Sequence, residues 1–175
     1  KIMGTEFPNF MMVAEESTAW PLVTAPPEND GLGFNYKWNM GWMNDTLRYM
    51  GMDPYFRKDN HSLLTFMMMY AYSENYILPF SHDEVVHSKG TILDKMWGNN
   101  DQKFAQCKSL YLYMMTHPGK KLNFMGNELA EYKEWDEKKA LGWVLLKYPQ
   151  HDSFHRYFSD LNHLILKHPA LYQYD

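Results

Sequence analysis

One cysteine, Cys107, is all that the 175 residues hold, so no disulfide can close within the chain. A reducing cytoplasm is the expected compartment. No apolar run approaches the ~20 residues that a membrane-spanning helix needs. The greasiest stretch, Leu63 to Met69, is far too short, and no membrane partner is expected. Charge of one sign is also scarce: 17 basic residues stand against 21 acidic ones, net −4, with no basic stripe. A nucleic-acid partner is therefore not expected. Internal repeats, linkers and low-complexity stretches are absent, so the length reads as one domain or a large piece of one. The first residues show no secretory pattern and lead straight into an apolar segment. With Lys at position 1, the chain is expected to be cut at both ends.

Aromatic residues, by contrast, abound: six Trp, thirteen Tyr and ten Phe, beside fourteen Met. Large side chains of this kind fill a core, and aromatic faces also receive the C–H faces of sugar rings. Spacing does not divide Trp38, Trp42, Trp97, Trp135 and Trp143 between the two uses.

Strand and helix patterns alternate. Phe10 to Ala14 is a continuous apolar run, predicting a fully buried strand. A long loop with three prolines follows from Trp20, ending in a turn at Gly31-Leu32-Gly33 that is too short for a phosphate loop. Phe34 to Trp38 reads as a short aromatic strand, and Gly41 to Met50 as a helix stopped by Gly51. Asn60 to Tyr72 is predicted as one helix, with Leu63, Leu64, Met67, Met68 and Ala71 as its buried stripe. Asn75 to Phe80 returns to strand, and Ser88 to Asn100 to loop or short helix. Asp101 to Thr116 is the clearest helix, closed by Pro118-Gly119. Leu122 to Met125 is predicted as a strand, Glu131 to Gln150 as loop, and Asp152 to His168 as a last helix. Such alternation implies parallel strands joined by crossover helices.

Three of these strands run into acidic or amide residues, at Glu15, Asp83 and Gly126-Asn127-Glu128. Polar groups at one end of parallel strands mark the ligand side of a barrel or doubly wound sheet. Successive strand residues point to opposite faces, so Glu15 is the inward candidate and Glu16 faces outer helices or a loop. Two solvated loop acids are the competing reading. His82-Asp83-Glu84-Val85-Val86-His87 superficially suggests zinc, but its histidines are five apart. On a helix that spacing separates them by roughly 140°, whereas the zinc motif needs one face. The alternative is an Asp and His at a strand tip gripping substrate hydroxyls.

At these residues the sequence resembles a known family. Ala14 to Thr18, the stretch Gly31-Leu32-Gly33-Phe34-Asn35-Tyr36-Lys37-Trp38-Asn39-Met40-Gly41-Trp42-Met43-Asn44-Asp45-Thr46-Leu47, Leu78 to His87, and Phe124 to Glu128 are similar to the 1,4-alpha-glucan branching enzymes of bacterial glycogen synthesis. These belong to the alpha-amylase superfamily of glycoside hydrolases. The resemblance implies an α/β fold, the second half of a (β/α)8 TIM barrel. Residues 1–175 would be a partial catalytic domain with strand five at Phe10 to Glu15, six at Phe34 to Trp38, seven at Asn75 to Phe80 and eight at Leu122 to Met125. One departure is Ser88, where the family more often has glycine.

The resemblance further implies that Glu15 is the acid/base of a retaining transglycosidase and Asp83 its transition-state stabiliser. His82, and more weakly Tyr36 and Trp38, would bind substrate. The nucleophile, an aspartate on strand four, matches no segment here, and the family's β domains are absent too. No cofactor or metal is expected. The partners would be an α-glucan such as glycogen or amylose and the remaining half of the enzyme. Glu15 must hold its proton at neutral pH, which partial burial and neighbouring negative charge would favour. Glu15 and Asp83 are expected to share one cavity. Two other outcomes stay open at this level: an amylase-type or debranching hydrolase, and a non-catalytic glucan-binding domain.

Overall fold

Four short parallel strands form one sheet in the computed structural model, which describes residues 5–7 and 9–173. Strand β1 is Val13–Ala14, β2 is Tyr36–Trp38, β3 is Tyr76–Phe80 and β4 is Lys120–Asn123. Their order in the sheet is their order in the chain. Helix α1 (Met40–Gly51) and two short helical turns, α2 (Pro54–Arg57) and α3 (Ser62–Thr65), lie between β2 and β3. Helix α4 (Asn100–Thr116) joins β3 to β4, and α5 (Pro149–Lys167) follows. Parallel strands cannot be joined by tight hairpins, so these helical crossovers are what the topology requires.

The register divides the sheet into two faces. Ala14 lies opposite Lys37 and Lys37 opposite Tyr76, so these three share a face with Leu78 and Phe80. Helices pack on that face: Phe80 meets Trp42 of α1 at 5.2 Å between ring centroids and Tyr111 of α4 at 5.9 Å. Phe154 and Phe158 of α5 then close on Tyr111. Val13, Tyr36, Trp38, Ile77 and Pro79 occupy the other face, where Ile77 and Pro79 are buried and Val13, Tyr36 and Trp38 are half-buried.

The helices begin where their caps dictate. The Asn39 side chain accepts from Trp42 N at the start of α1, and Asn99 accepts from Gln102 N at the start of α4. Pro149 opens α5 earlier than Asp152, as a proline in the first turn can. Gly119 turns α4 into β4 at φ +108, where an added Cβ would press on the Tyr76 carbonyl at 3.1 Å. Cys107 sits inside the core, where burial pushes its thiol up to about 12. No helix among the described residues is long and apolar enough to cross a membrane.

The elements depart from the sequence reading in three places. β1 is shorter than Phe10 to Ala14, and Phe10 and Met11 are exposed rather than buried. Among the described residues only β2 pairs with it, so its outer edge has no strand partner there. The helix expected over Asn60 to Tyr72 is a series of short turns: a 3-10 turn, α3, then a 3-10 turn at Phe66–Met69. The break coincides with the Tyr113 hydroxyl donating to the Leu64 carbonyl. Met67 and Ala71 of its stripe are buried, while Met68 is exposed. β4 starts at Lys120 and ends at Asn123, two residues before the expected strand, because its register follows Ile77 to Phe80 of β3.

The connection from β1 to β2 contains no α-helix, only a 3-10 turn at Pro27–Asn29. Its anchors are the buried Val23 and the Glu74 carboxylate, which accepts from Val23 N at 2.8 Å and Thr24 N at 2.7 Å. The Thr24 hydroxyl donates to the same carboxylate. The Gly31 turn is tight: a Cβ there would collide with the Ala25 backbone.

Candidate active site

Glu15 is the first residue past β1 and is exposed. Its neighbour Glu16 turns the other way, with Oε2 2.7 Å from Lys37 Nζ. Glu16 Oε1 also accepts from Thr18 N at 2.7 Å. Bonding to Lys37 and Thr18 pulls the Glu16 carboxyl down to about 2. Tyr36 opens β2 and Trp38 ends it, both half-buried on the face opposite Lys37.

The β3 tip is built by a cap. Ser81 N and Oγ both donate to Glu84 Oε2, at 2.7 and 2.8 Å, and Ser81 Oγ accepts from Asp83 N at 3.2 Å. This capping box buries Glu84 and leaves His82 and Asp83 accessible. His82 Nε2 lies 3.5 Å from Asp83 Oδ1. The His82 ring is backed by Phe124 at 5.9 Å, and Phe124 by Trp135 at 5.1 Å.

The segment after Asp83 is fastened from two sides. Lys95 Nζ donates to the carbonyls of Glu84, Lys89 and Gly90. Glu134, from the connection after β4, accepts from Ser88 N at 3.0 Å and Gly90 N at 2.7 Å. These two amides hold its carboxyl below the usual carboxylate range. His87 and Ser88 both have positive φ, 59 and 65. Ser88 thus occupies backbone space that glycine enters freely.

The structure therefore sets Glu15, Trp38 and the His82–Asp83 pair at the carboxyl ends of three adjacent parallel strands. Adjacent strands lie ~4.8 Å apart, so the tips of β1 and β3 stand roughly 10 Å apart along the sheet. Two cavities lie near these tips. One cavity, of about 240 Å³, lies by Val85, Cys107, Asn127 and Trp135. A larger one, of about 600 Å³, lies behind the β1 tip by Trp20, Lys37, Asn39 and Tyr70. Neither is lined by Glu15 or Asp83. Glu15 is exposed rather than partly buried. Among the described residues no three His, Cys, Asp or Glu side chains are grouped to hold a metal.

Sequence reasoning missed Lys37, Glu84, Glu134 and the capping role of Asn39. The Ser81-x-x-Glu84 spacing is a capping-box signature, and an amide just before a helical run is a cap signal. Glu134 has no comparable signal, since its partners are backbone amides about 45 residues away.

No family model matches the chain. Curated relatives do. A 1,4-alpha-glucan branching enzyme GlgB of Halothermothrix orenii is 55% identical over all 175 residues, which cover 28% of that protein. The GlgB of Oceanobacillus iheyensis is also 55% identical over the whole chain, again 28% of its own length. That of Aquifex aeolicus is 53% identical over 169 residues. Over its whole length the chain is similar to a segment of the 1,4-alpha-glucan branching enzymes. It spans a little over a quarter of the length of the branching enzymes it matches. A solved structure of cyclic alpha-maltosyl-(1→6)-maltose hydrolase from Arthrobacter globiformis matches this branching-enzyme segment with a TM-score of 0.56 at 14% identity. That match covers 89% of this chain and 34% of the other, and it supports the α/β fold with its parallel sheet.

Proposed function

We propose that residues 1–175 are the second half of a (β/α)8 barrel, strands five to eight, in a cytoplasmic enzyme that branches α-1,4 glucans. The observation that carries the reading is the placing of Glu15 and Asp83 at the same end of one parallel sheet, on strands separated only by β2. In barrels of this type that end is where chemistry is done.

Glu15, protonated, donates to the departing glycosidic oxygen. An aspartate outside this chain attacks the anomeric carbon and forms a glycosyl-enzyme. Glu15, now a base, takes the proton of a 6-hydroxyl on a second glucan, which accepts the segment through an α-1,6 bond. Asp83 and His82, one contact apart, bind vicinal hydroxyls and favour the oxocarbenium-like sugar at the transition state. Tyr36 and Trp38 offer aromatic surface on the same face. The face of the sheet opposite Phe80, Trp42 and Tyr111 is where the partner half-barrel would close the site.

The test is Glu15→Gln in a chain of the relatives' full length carrying this segment. Loss of a general acid lowers turnover by about 10²- to 10⁴-fold. New α-1,6 linkages on amylose should fall by that factor while the protein stays folded. Branching at the parent rate would remove Glu15 from the acid/base role. Reducing sugar released without new branches would make the enzyme a hydrolase.

A further inference from the structure

Lys37 is 4% exposed and is the sole buried lysine or arginine among the described residues. A buried ammonium has to be neutralised and fully hydrogen-bonded. Its Nζ has three acceptors within reach, all from the β1 exit: Glu16 Oε2 at 2.7 Å, the Thr18 carbonyl at 2.9 Å and the Trp20 carbonyl at 3.4 Å. Three N–H bonds thus meet three oxygens contributed by alternate residues of one short segment. The segment cannot rotate about its axis without stranding the charge.

The sheet register explains the arrangement. Lys37 is paired with Ala14, so the two side chains share the helix face. Glu16 is the next residue of β1's run on that face, and it is the one Lys37 binds. Ala14 is buried and Glu16 is tied to Lys37, so the residue between them is directed to the opposite face. That residue is Glu15.

We propose that Lys37 is a positioning residue for Glu15: by fixing Glu16 and the Thr18 and Trp20 carbonyls on the helix face, it aims the Glu15 carboxyl across the sheet at the substrate. This inference rests on the acid/base reading of Glu15. Lys37 itself touches no reacting atom.

A leaving-group comparison tests it in the full-length enzyme. Cleaving amylose requires proton donation to the glycosidic oxygen, whereas α-maltosyl fluoride loses fluoride with little need of an acid. A misaimed Glu15 therefore slows the first donor much more than the second. Misplacing a catalytic group by about 1 Å costs on the order of 10²-fold. Lys37→Met should lower turnover on amylose by about 10- to 100-fold and fluoride release by less than about threefold. Glu16→Gln removes the ion pair without altering a buried position, and should show the same selectivity at smaller size. Equal losses on both donors would make Lys37 a purely structural residue and overturn the proposal, as would no loss on either. If Lys37→Met does not fold, Glu16→Gln alone decides by the same ratio. A parent enzyme that neither makes α-1,6 bonds nor releases fluoride would sink the acid/base reading, and this inference with it.

Discussion

Below pH 4.5 an ordinary glutamate gains its proton, but Glu16, bonded by Lys37 and Thr18, keeps its charge down to about 2. Its folded-state pKa is depressed, so its contribution to stability is complete above 4.5 and is lost as pH falls toward about 2. Glu134 acts in the same sense through Ser88 and Gly90. Both side chains reach water, which screens the effect and keeps it small. Urea midpoints of the full-length enzyme should therefore drop through that acid window, and Glu16→Gln should flatten the drop. A variant whose midpoint tracks the parent at every pH would mean that the Glu16–Lys37 pair is energetically idle. Glu15 and Asp83 were visible as letters because both stand where an apolar run stops. Lys37 was not: a lysine between Tyr36 and Trp38 looks like the polar half of an alternating strand. Only the pairing of β1 with β2 reveals that it points inward.

Helices show how local signals set boundaries. Asn99 and Gln102 exchange bonds across the first turn of α4, at 2.9 and 3.0 Å. Asn99→Ala should destabilise the fold by about 1 kcal/mol, read from chemical denaturation, because one N-terminal amide loses its acceptor. An unchanged midpoint would show that water replaces the cap at no cost. Elements with such caps, α1 and α4, were placed from sequence to within about a residue. The region from Asn60 to Tyr72 was misread because its apolar spacing mimics a helix while a tertiary bond, Tyr113 to Leu64, takes a carbonyl in its middle. β4 was misplaced because Lys120 and Lys121 do not look like strand residues. Their long side chains reach backbone carbonyls, Lys120 that of Tyr172 and Lys121 those of His117 and Gly119.

At the scale of the whole molecule, the sheet ends in β1 on one side and β4 on the other, and neither outer edge is paired among the described residues. Unpaired sheet edges invite association. Residues 1–175 alone should form no α-1,6 branches on amylose, and should aggregate or pair with another half-barrel in size-exclusion chromatography. A monodisperse, branching-competent preparation would refute the half-barrel reading. The fold class was legible from the alternation of strand and helix patterns, whereas the cavities beside Trp135 and Trp20 were not, because their walls come from segments far apart in the chain. The helix-free passage from β1 to β2 adds one more consequence. It is moored at a few separate points, where Lys37 holds Glu16, Thr18 and Trp20 and where Glu74 grips Val23 and Thr24, instead of along the length of a helix. Stretches between these moorings can therefore lengthen or shorten over evolutionary time, which makes this rim a natural place for relatives to vary.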